Sequence, residues 1–411
     1  MTSSRPGHAP MAHFPVIDDC LQVGGIPLPQ LAARVGQTPF YAYDRQLLDA
    51  RVQALRAALP DELSIHYAIK ANPMPVLVQH MAGLVDGLDV ASAGELRVAL
   101  DAGMPAAEIS FAGPGKAPWE LEAAVAAGIT INLESETELA RVAAIAERSG
   151  RNAHVAVRVN PDFELKSSGM KMSGGPKAFG VDAERVPAML ARIGELGLHF
   201  RGLHIFSGSQ NLRPETLIEA QQQTFELALR LAEDAPSPLQ MLNIGGGFGI
   251  PYFPGEQPLD LAPIGEHLAK RLPDVRERLP EAEIILELGR YLVGEAGVYV
   301  AEVLDRKESR GQTFLITDGG LHHHLAASGN FGQVIRKNYP VVVGNRVQGI
   351  ERELVNVVGP LCTPLDVLAQ QMELARAEIG DLIVVFQSGA YGYTASPTRF
   401  LGHPEPVEVL V

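Results

Sequence analysis

The run SIHYAIK ends in a lysine, Lys70, where an otherwise apolar strand-like segment meets AN and a proline. Lysine almost never goes inside a protein unless it is paired or chemically used. Lys70 is therefore a candidate nucleophilic amine of the kind that forms an imine with a carbonyl, although a plain pairing with Asp89 is the simpler alternative. A second feature weighs against that alternative. The glycines Gly245, Gly246 and Gly247 in NIGGGFG remove side chains where a strand enters a loop, so that backbone N–H groups can approach a phosphate. By itself the triplet also fits a tight turn. Together, an imine-forming amine and a phosphate cradle suggest pyridoxal 5'-phosphate (PLP), an electron sink that needs a protein to position it. Such a ring wants a carboxylate at its pyridine nitrogen, which Glu287 in LELGR is placed to supply, and a flat side chain to stack on it, which His204 offers unless it is an ordinary core histidine. Arg158 suits the ring oxygen, Ser207 and Tyr391 the phosphate, and Arg290 the phosphate or a substrate carboxylate, since guanidinium matches planar anions.

These residues must be held by a scaffold, and its pattern is legible. Eight short runs, SIHYAIK, GLDVAS, EISFAG, ITINLES, HVAVRVN, FRGLHIF, LQMLNIGGG and EIILELGR, alternate with amphipathic segments such as ETELARVAAIAERSG. Strands alternating with helices imply βαβ units and a parallel sheet. Eight units match a closed (β/α)8 barrel, and a doubly wound open sheet is the alternative. In a barrel, functional groups collect at the C-terminal strand ends. Lys70 ends run one, Asp89 and Ser92 run two, Arg158 and Asn160 run five, His204 and Ser207 run six, the glycines run seven, and Glu287 and Arg290 run eight. Beyond ELGR the helical period fades, and GVYVAEVLDRK, TFLITDGG, ELVNVVGPLC and DLIVVFQSGAY read as an antiparallel β-domain. The expected division is an N-terminal segment 1–35 contributing to the β-domain, a PLP-binding barrel 36–290 and a C-terminal β-domain 291–411.

Composition narrows the class further. The 411 residues are 46% hydrophobic and carry a net charge of −14, which argues against nucleic acid or an anionic membrane and favours small-molecule ligands. Two cysteines, Cys20 and Cys362, make no disulfide framework, so a cytoplasmic protein without a membrane segment is expected, with Cys20 as packing. The adjacent His322, His323 and His324 diverge in any regular backbone and lack accompanying ligands, so no metal site is expected there.

The chain resembles the fold-type III PLP decarboxylases, which include the diaminopimelate and ornithine decarboxylases. The likeness spans roughly residues 36–400 and is carried by HYAIKAN, LDVASAGEL, VRVNPD, LHIFSGSQ, IGGGFG, ELGR, GPLCTPLD and SGAYGYTAS in order. It implies an alanine racemase-like barrel plus β-domain, Lys70 as the PLP lysine, and cofactor contacts from Asp89, Arg158, His204, Ser207, Gly245, Gly246, Gly247, Glu287, Gly289, Arg290 and Tyr391. It also implies a homodimer with shared active sites, in which Cys362 comes from the partner subunit and protonates the carbanion left by decarboxylation. A mostly protonated thiol, with an unperturbed pKa near ~8.5, can serve as that acid. Members acting on diamino substrates carry an acidic residue directly after this cysteine. Here Thr363 and Pro364 follow it, with Asp366 where the family keeps a later aspartate. A threonine cannot supply the charge that a desolvated ammonium needs, so a free diamino acid is not the expected substrate. The stretch GGLHHHLAASGNFGQVIRKNYPVVVGN is longer than in diaminopimelate decarboxylase and adds Arg336 and Tyr339 as candidate substrate contacts, beside Arg290, Thr363, Asp366 and Tyr391. Both departures resemble the specialised decarboxylases of antibiotic, siderophore and exosortase-associated gene clusters, some of which act on amino acids attached to larger groups. Diaminopimelate decarboxylation proper, a PLP-dependent racemase and an inactive PLP-binding homologue are the competing readings.

Overall fold

The structure is a computed structural model that describes residues 7–163, 170–171 and 175–411. It divides into two compact units, one made of Arg51–Gly249 and Leu259–Gly289, the other of the described residues of Met1–Ala50 with Ile250–Pro258 and Arg290–Val411.

The first unit is an eight-stranded parallel barrel. Its strands are β1 Leu63–Ala68, β2 Gly87–Val90, β3 Ile109–Phe111, β4 Thr130–Leu133, β5 His154–Asn160, β6 His199–Ile205, β7 Met241–Gly246 and β8 Glu283–Leu288. Each pairs with the next, and β8 pairs back onto β1 with Glu287 opposite His66, so the sheet closes and the open-sheet alternative fails. A two-residue strand, Val181–Asp182, adds to the side of β5. The strands are buried almost throughout, as a sheet covered by helices requires. Helices between them follow from local chemistry. Ser92 and Ser135 accept hydrogen bonds from the Glu95 and Glu138 N–H groups and so start the helices Ala93–Asp101 and Glu136–Ser149. The second helix buries Leu139, Val142, Ile145 and Ala146 along one stripe and stops at Gly150, whose φ of 61° is costly for other residues. Close strand approach also demands glycine: a Cβ on Gly202 of β6 would lie 1.8 Å from the Met241 carbonyl oxygen.

The second unit is built on a mixed sheet. Its order is Val341–Val343, Leu382–Val385, Gly297–Ser309, Gln312–Thr317, Arg352–Val358 and Val367–Ala375, with Phe40–Tyr43 pairing both Gly297–Ser309 and Val407–Leu410. The expectation of an antiparallel domain needs one adjustment, because two pairs are parallel: Gln312–Thr317 with Arg352–Val358, and Phe40–Tyr43 with Val407–Leu410. Parallel neighbours need a long connection, and residues 318–351 supply it for the first pair. The strand Phe40–Tyr43, which lies beyond the 1–35 segment, belongs to this sheet. Its core gathers Phe14, Leu21, Leu28, Phe40, Val298, Val384 and Phe386, with Cys20 packed half-buried against it. Among the described residues no helix is long and apolar enough to cross a membrane.

Candidate active site

In the barrel unit, β1 ends at Ala68, where its pairing with Asp89 of β2 also ends. Lys70 sits beyond it in the three-residue turn Ile69–Ala71, exposed rather than partly buried. The turn is closed by the Asn72 N–H donating to the Ile69 carbonyl at 3.0 Å, and the Tyr67 hydroxyl donates to the Asn72 carbonyl at 2.8 Å. Gly289 packs against this corner, where a Cβ would meet the Ala71 side chain at 3.0 Å and the Ala68 carbonyl oxygen at 3.2 Å. The Lys70 ammonium stands 5.9 Å above the centre of the Phe206 ring. It is not held by Asp89, whose described partners are Ser110 Oγ at 2.6 Å and His66 Nδ1 at 3.3 Å.

Glu287 and His204 meet inside the barrel, Oε2 to Nε2, at 2.9 Å, with both side chains almost fully buried. The Asn243 amide donates to the same carboxylate at 3.4 Å. Burial pushes the Glu287 carboxyl up, but contact with His204 and the charges of His204, Lys70 and Arg158 outweigh it and hold the group well below the usual carboxylate range. A carboxylate that stays ionised here is what a protonated pyridine nitrogen requires. His204 faces Glu287 edge to edge, and its Nδ1 is buried with no hydrogen-bond partner among the described residues.

Arg158 is buried and pairs with Glu134 at 3.3 Å, with Phe179 5.3 Å from its guanidinium. Sequence reasoning missed Glu134, which also accepts the Gly113 and Gly180 N–H groups. Its place just after β4 in the run ITINLES was the available signal. Asn160 is taken up structurally, by the Gly175 carbonyl and Asp182, as is Ser92 in its helix cap.

The glycine loop lies where close approach is greatest. A Cβ on Gly246 would fall 2.0 Å from the Glu287 carbonyl oxygen, and one on Gly247 would fall 2.4 Å from that of Gly208. Gly245 and Gly247 adopt φ of 67° and 79°. The Gly245 N–H already donates to Asn243 Oδ1 at 2.8 Å. Asn211 donates to the Gly247 carbonyl at 2.9 Å and accepts from the Gly249 N–H at 2.8 Å, so the chain after half-buried Ser207 is zipped to the loop after β7.

In the second unit, Arg290 forms another cluster. Its Nη1 donates to the Tyr252 hydroxyl at 2.9 Å, and its guanidinium lies 5.3 Å and 4.6 Å from the Tyr252 and Tyr391 rings. No carboxylate pairs with it among the described residues, which leaves a cation whose natural complement is an anionic ligand. Tyr391 holds a φ of 54°, a strained value for a non-glycine residue. Tyr252 and Tyr339 are buried with ring centres 4.6 Å apart. Tyr252 was not singled out from sequence.

Two expected substrate contacts are otherwise engaged. Arg336 donates to the Ser328 carbonyl and, at 2.7 Å, to the Val367 carbonyl, so its guanidinium closes loops instead of facing outward. Asp366 is 2% exposed and accepts the N–H groups of Leu321 at 2.6 Å and Leu361 at 2.8 Å, one on each oxygen. Gly320 and Gly359 make room for it, since a Cβ on either would lie within 2.3 Å of a carboxylate oxygen. Thr363 is also local: its N–H donates to the Leu361 carbonyl and its hydroxyl accepts from the Leu365 N–H. Within this turn Cys362 is exposed. His322, His323 and His324 are buried, but the expected divergence holds only in part: the segment is a turn rather than a regular helix or strand, and the His322 and His323 rings lie 3.6 Å apart, centre to centre. His323 contacts Tyr299 and the Pro404 carbonyl, and His324 contacts Ser388. Burial lowers them to about 3, about 4 and about 3, so all are neutral near pH 7.

An exposed lysine beside a barrel mouth, a carboxylate kept ionised and a glycine-lined loop fit PLP, and comparison with known proteins agrees. Residues 45–294 match the pyridoxal-binding domain of the pyridoxal-dependent decarboxylases. An L-glutamyl-[BtrI acyl-carrier protein] decarboxylase of Niallia circulans is 41% identical over 380 residues, covering 91% of this chain and 89% of its own. A 2-[(L-alanin-3-ylcarbamoyl)methyl]-2-hydroxybutanedioate decarboxylase of Staphylococcus aureus is 31% identical over 382 residues, covering 92% and 95%. The crystal structure of diaminopimelate decarboxylase from M. jannaschii superposes with a TM-score of 0.86 at 27% identity, over 97% of this chain and 92% of that one. The chain belongs to the pyridoxal-dependent decarboxylases and is a PLP-dependent amino-acid decarboxylase.

Proposed function

We propose that this enzyme removes the α-carboxylate from an amino acid whose side chain is conjugated to a larger group, and that a free diamino acid is a poor substrate. The observation that carries the proposal is the turn 359–366. Its one carboxylate, Asp366, is buried with both oxygens on backbone N–H groups, and Thr363 spends its hydroxyl within the turn. Neither offers a charge to a distal ammonium. Two relatives whose names specify conjugated substrates, one carrier-linked and one carbamoyl-linked, support the same reading.

In this proposal Lys70 would hold PLP through its side-chain amine. Bound PLP supplies the sink for the electron pair left when carbon dioxide departs. Glu287 would keep the pyridine nitrogen protonated, His204 would cover the ring, and Arg158 and Asp89 would fix its orientation. Ser207, Gly245, Gly246, Gly247, Gly289, Arg290 and Tyr391 serve the phosphate, with Arg290 and Tyr391 also open to a substrate carboxylate. Cys362, contributed across a homodimer, returns a proton to Cα.

Carbon dioxide release measured over free acidic, neutral and diamino acids, and over amide- and carrier-linked amino acids, tests this. A kcat/KM at least about a hundredfold higher for a conjugate is expected, equivalent to about 2.7 kcal/mol of transition-state discrimination. Preference for free diaminopimelate, lysine or ornithine overturns it. Inversion at Cα without carbon dioxide loss would instead identify a racemase.

A further inference from the structure

At the end of the barrel where the strands begin, polar groups converge that PLP chemistry does not use. Strand alternation places Ser64 with His66 on one face of β1, and Glu283 with Ile285 and Glu287 on one face of β8. Glu287 meets His204, and Ile285 packs with Ala156 and Met241, so this face of β8 is the interior one. Glu108 immediately precedes β3. A ring nitrogen of His66 and carboxylate oxygens of Glu108 and Glu283 lie within 4.8 Å of one another.

Three further observations say that the cluster is more than acidic crowding. His66 is 3% exposed, and its Nε2 has no hydrogen-bond partner among the described residues, a costly state for a buried polar atom. Its Nδ1 faces Asp89 Oδ1 at 3.3 Å, and that oxygen also accepts from Ser110 Oγ, which in turn receives the Asn132 amide at 3.0 Å. Gly87 lies opposite: a Cβ there would sit 2.4 Å from Nε2 and 2.6 Å from the Glu108 carbonyl oxygen, so absence of a side chain keeps that flank of the ring clear. An imidazole with one nitrogen steadied by a carboxylate and the other directed toward further carboxylates is how proteins present histidine to a metal.

We propose that His66 Nε2, Glu108 and Glu283 hold one divalent transition-metal ion at the strand-start end of the barrel. One imidazole and two carboxylates suit Zn2+ or Mn2+, and the two carboxylates balance the ion's charge. Glu283 keeps one oxygen for the ion while Oε1 accepts from Ser64. The ion ties β1, β8 and the approach to β3 together at the end of the barrel that serves stability rather than catalysis.

The test uses the PLP-loaded full chain, stripped with a chelator and then titrated calorimetrically with Zn2+ and separately with Mn2+. One equivalent per chain and a raised melting temperature are expected. Glu108→Gln and Glu283→Gln should each weaken binding by at least about tenfold with PLP absorbance unchanged. If Glu283→Gln fails to fold because Ser64 loses its acceptor, Glu108→Gln and an anomalous-scattering peak beside His66 decide the matter. His154 and His199, whose rings lie 4.8 Å apart, are the competing pair. His154→Gln should leave the titration unchanged. Absence of a stoichiometric site, binding indifferent to Glu108→Gln, or binding lost in His154→Gln overturns the proposal, and the first of these returns Nε2 to a proton or a buried water.

Discussion

At the scale of single residues, the sequence shows chemistry more readily than exposure. Lys70 stands out because a lysine ends an apolar run, yet no local pattern reveals that β1 stops two residues earlier and leaves the side chain in water. Lys70→Ala should therefore abolish both the visible absorbance of bound PLP and carbon dioxide release, while the unliganded protein melts within about 0.5 kcal/mol of wild type, as surface substitutions do. Glu287 is the reverse case, a buried acid whose folded pKa is depressed. Its stabilising contribution is present above the ordinary carboxylate range and disappears only as pH falls well below the usual 4.5. Glu287→Gln should lower kcat by about a hundredfold, the scale on which a preorganised electrostatic group acts. Steady-state kinetics on the PLP-saturated variant checks this. The partners Glu134 and Asn243 were not legible as partners, because Arg158–Glu134 and Glu287–Asn243 each join neighbouring strands separated in sequence by a whole helix, and the pairing register is not written in either run.

At the scale of elements, strands and caps were readable because their causes are local. Short runs closed by Gly, Pro, Ser or Asp and alternating with amphipathic segments marked all eight barrel strands, and Ser92 and Ser135, each three residues before a glutamate, mark helix starts. The sheet of the second unit was less legible. Which strands run parallel depends on how 318–351 travels, and that stretch has no period to reveal its path. The turn 359–366 shows the same limit: Asp366 looked like a ligand contact, but each of its oxygens already accepts a backbone N–H, one from Leu321, 45 residues away, and one from Leu361. Asp366→Ala should leave those two buried N–H groups unpaired at a cost of about 1–3 kcal/mol each. Thermal melting should report the loss, hydrogen exchange should speed up at the Leu321 and Leu361 amides, and PLP absorbance should persist while kcat falls. Unaltered exchange at both amides would contradict the anchoring role of Asp366.

At the scale of the whole molecule, a net charge of −14 says little about acid sensitivity, but three buried histidines say more. Burial holds His322, His323 and His324 at about 3, about 4 and about 3, against 6.5 in an unfolded chain. As pH drops below 6.5 the unfolded state takes up protons that the folded state refuses, so stability declines progressively down to pH 3–4. Melting temperature measured across that range should fall, and should fall less steeply in His324→Gln, which removes one of the refused protons. The pairing of a strand that precedes the barrel with one that follows it has a consequence for synthesis. Val407–Leu410 lies parallel to Phe40–Tyr43, and the Val411 N–H donates to the Tyr43 carbonyl at 2.8 Å. All eight barrel strands have been translated by Leu288, so that barrel can assemble on the ribosome while the second unit's sheet is still being made. Phe40–Tyr43, translated before the first barrel strand, must wait until long after the last barrel strand has been made before one of its two edges is covered.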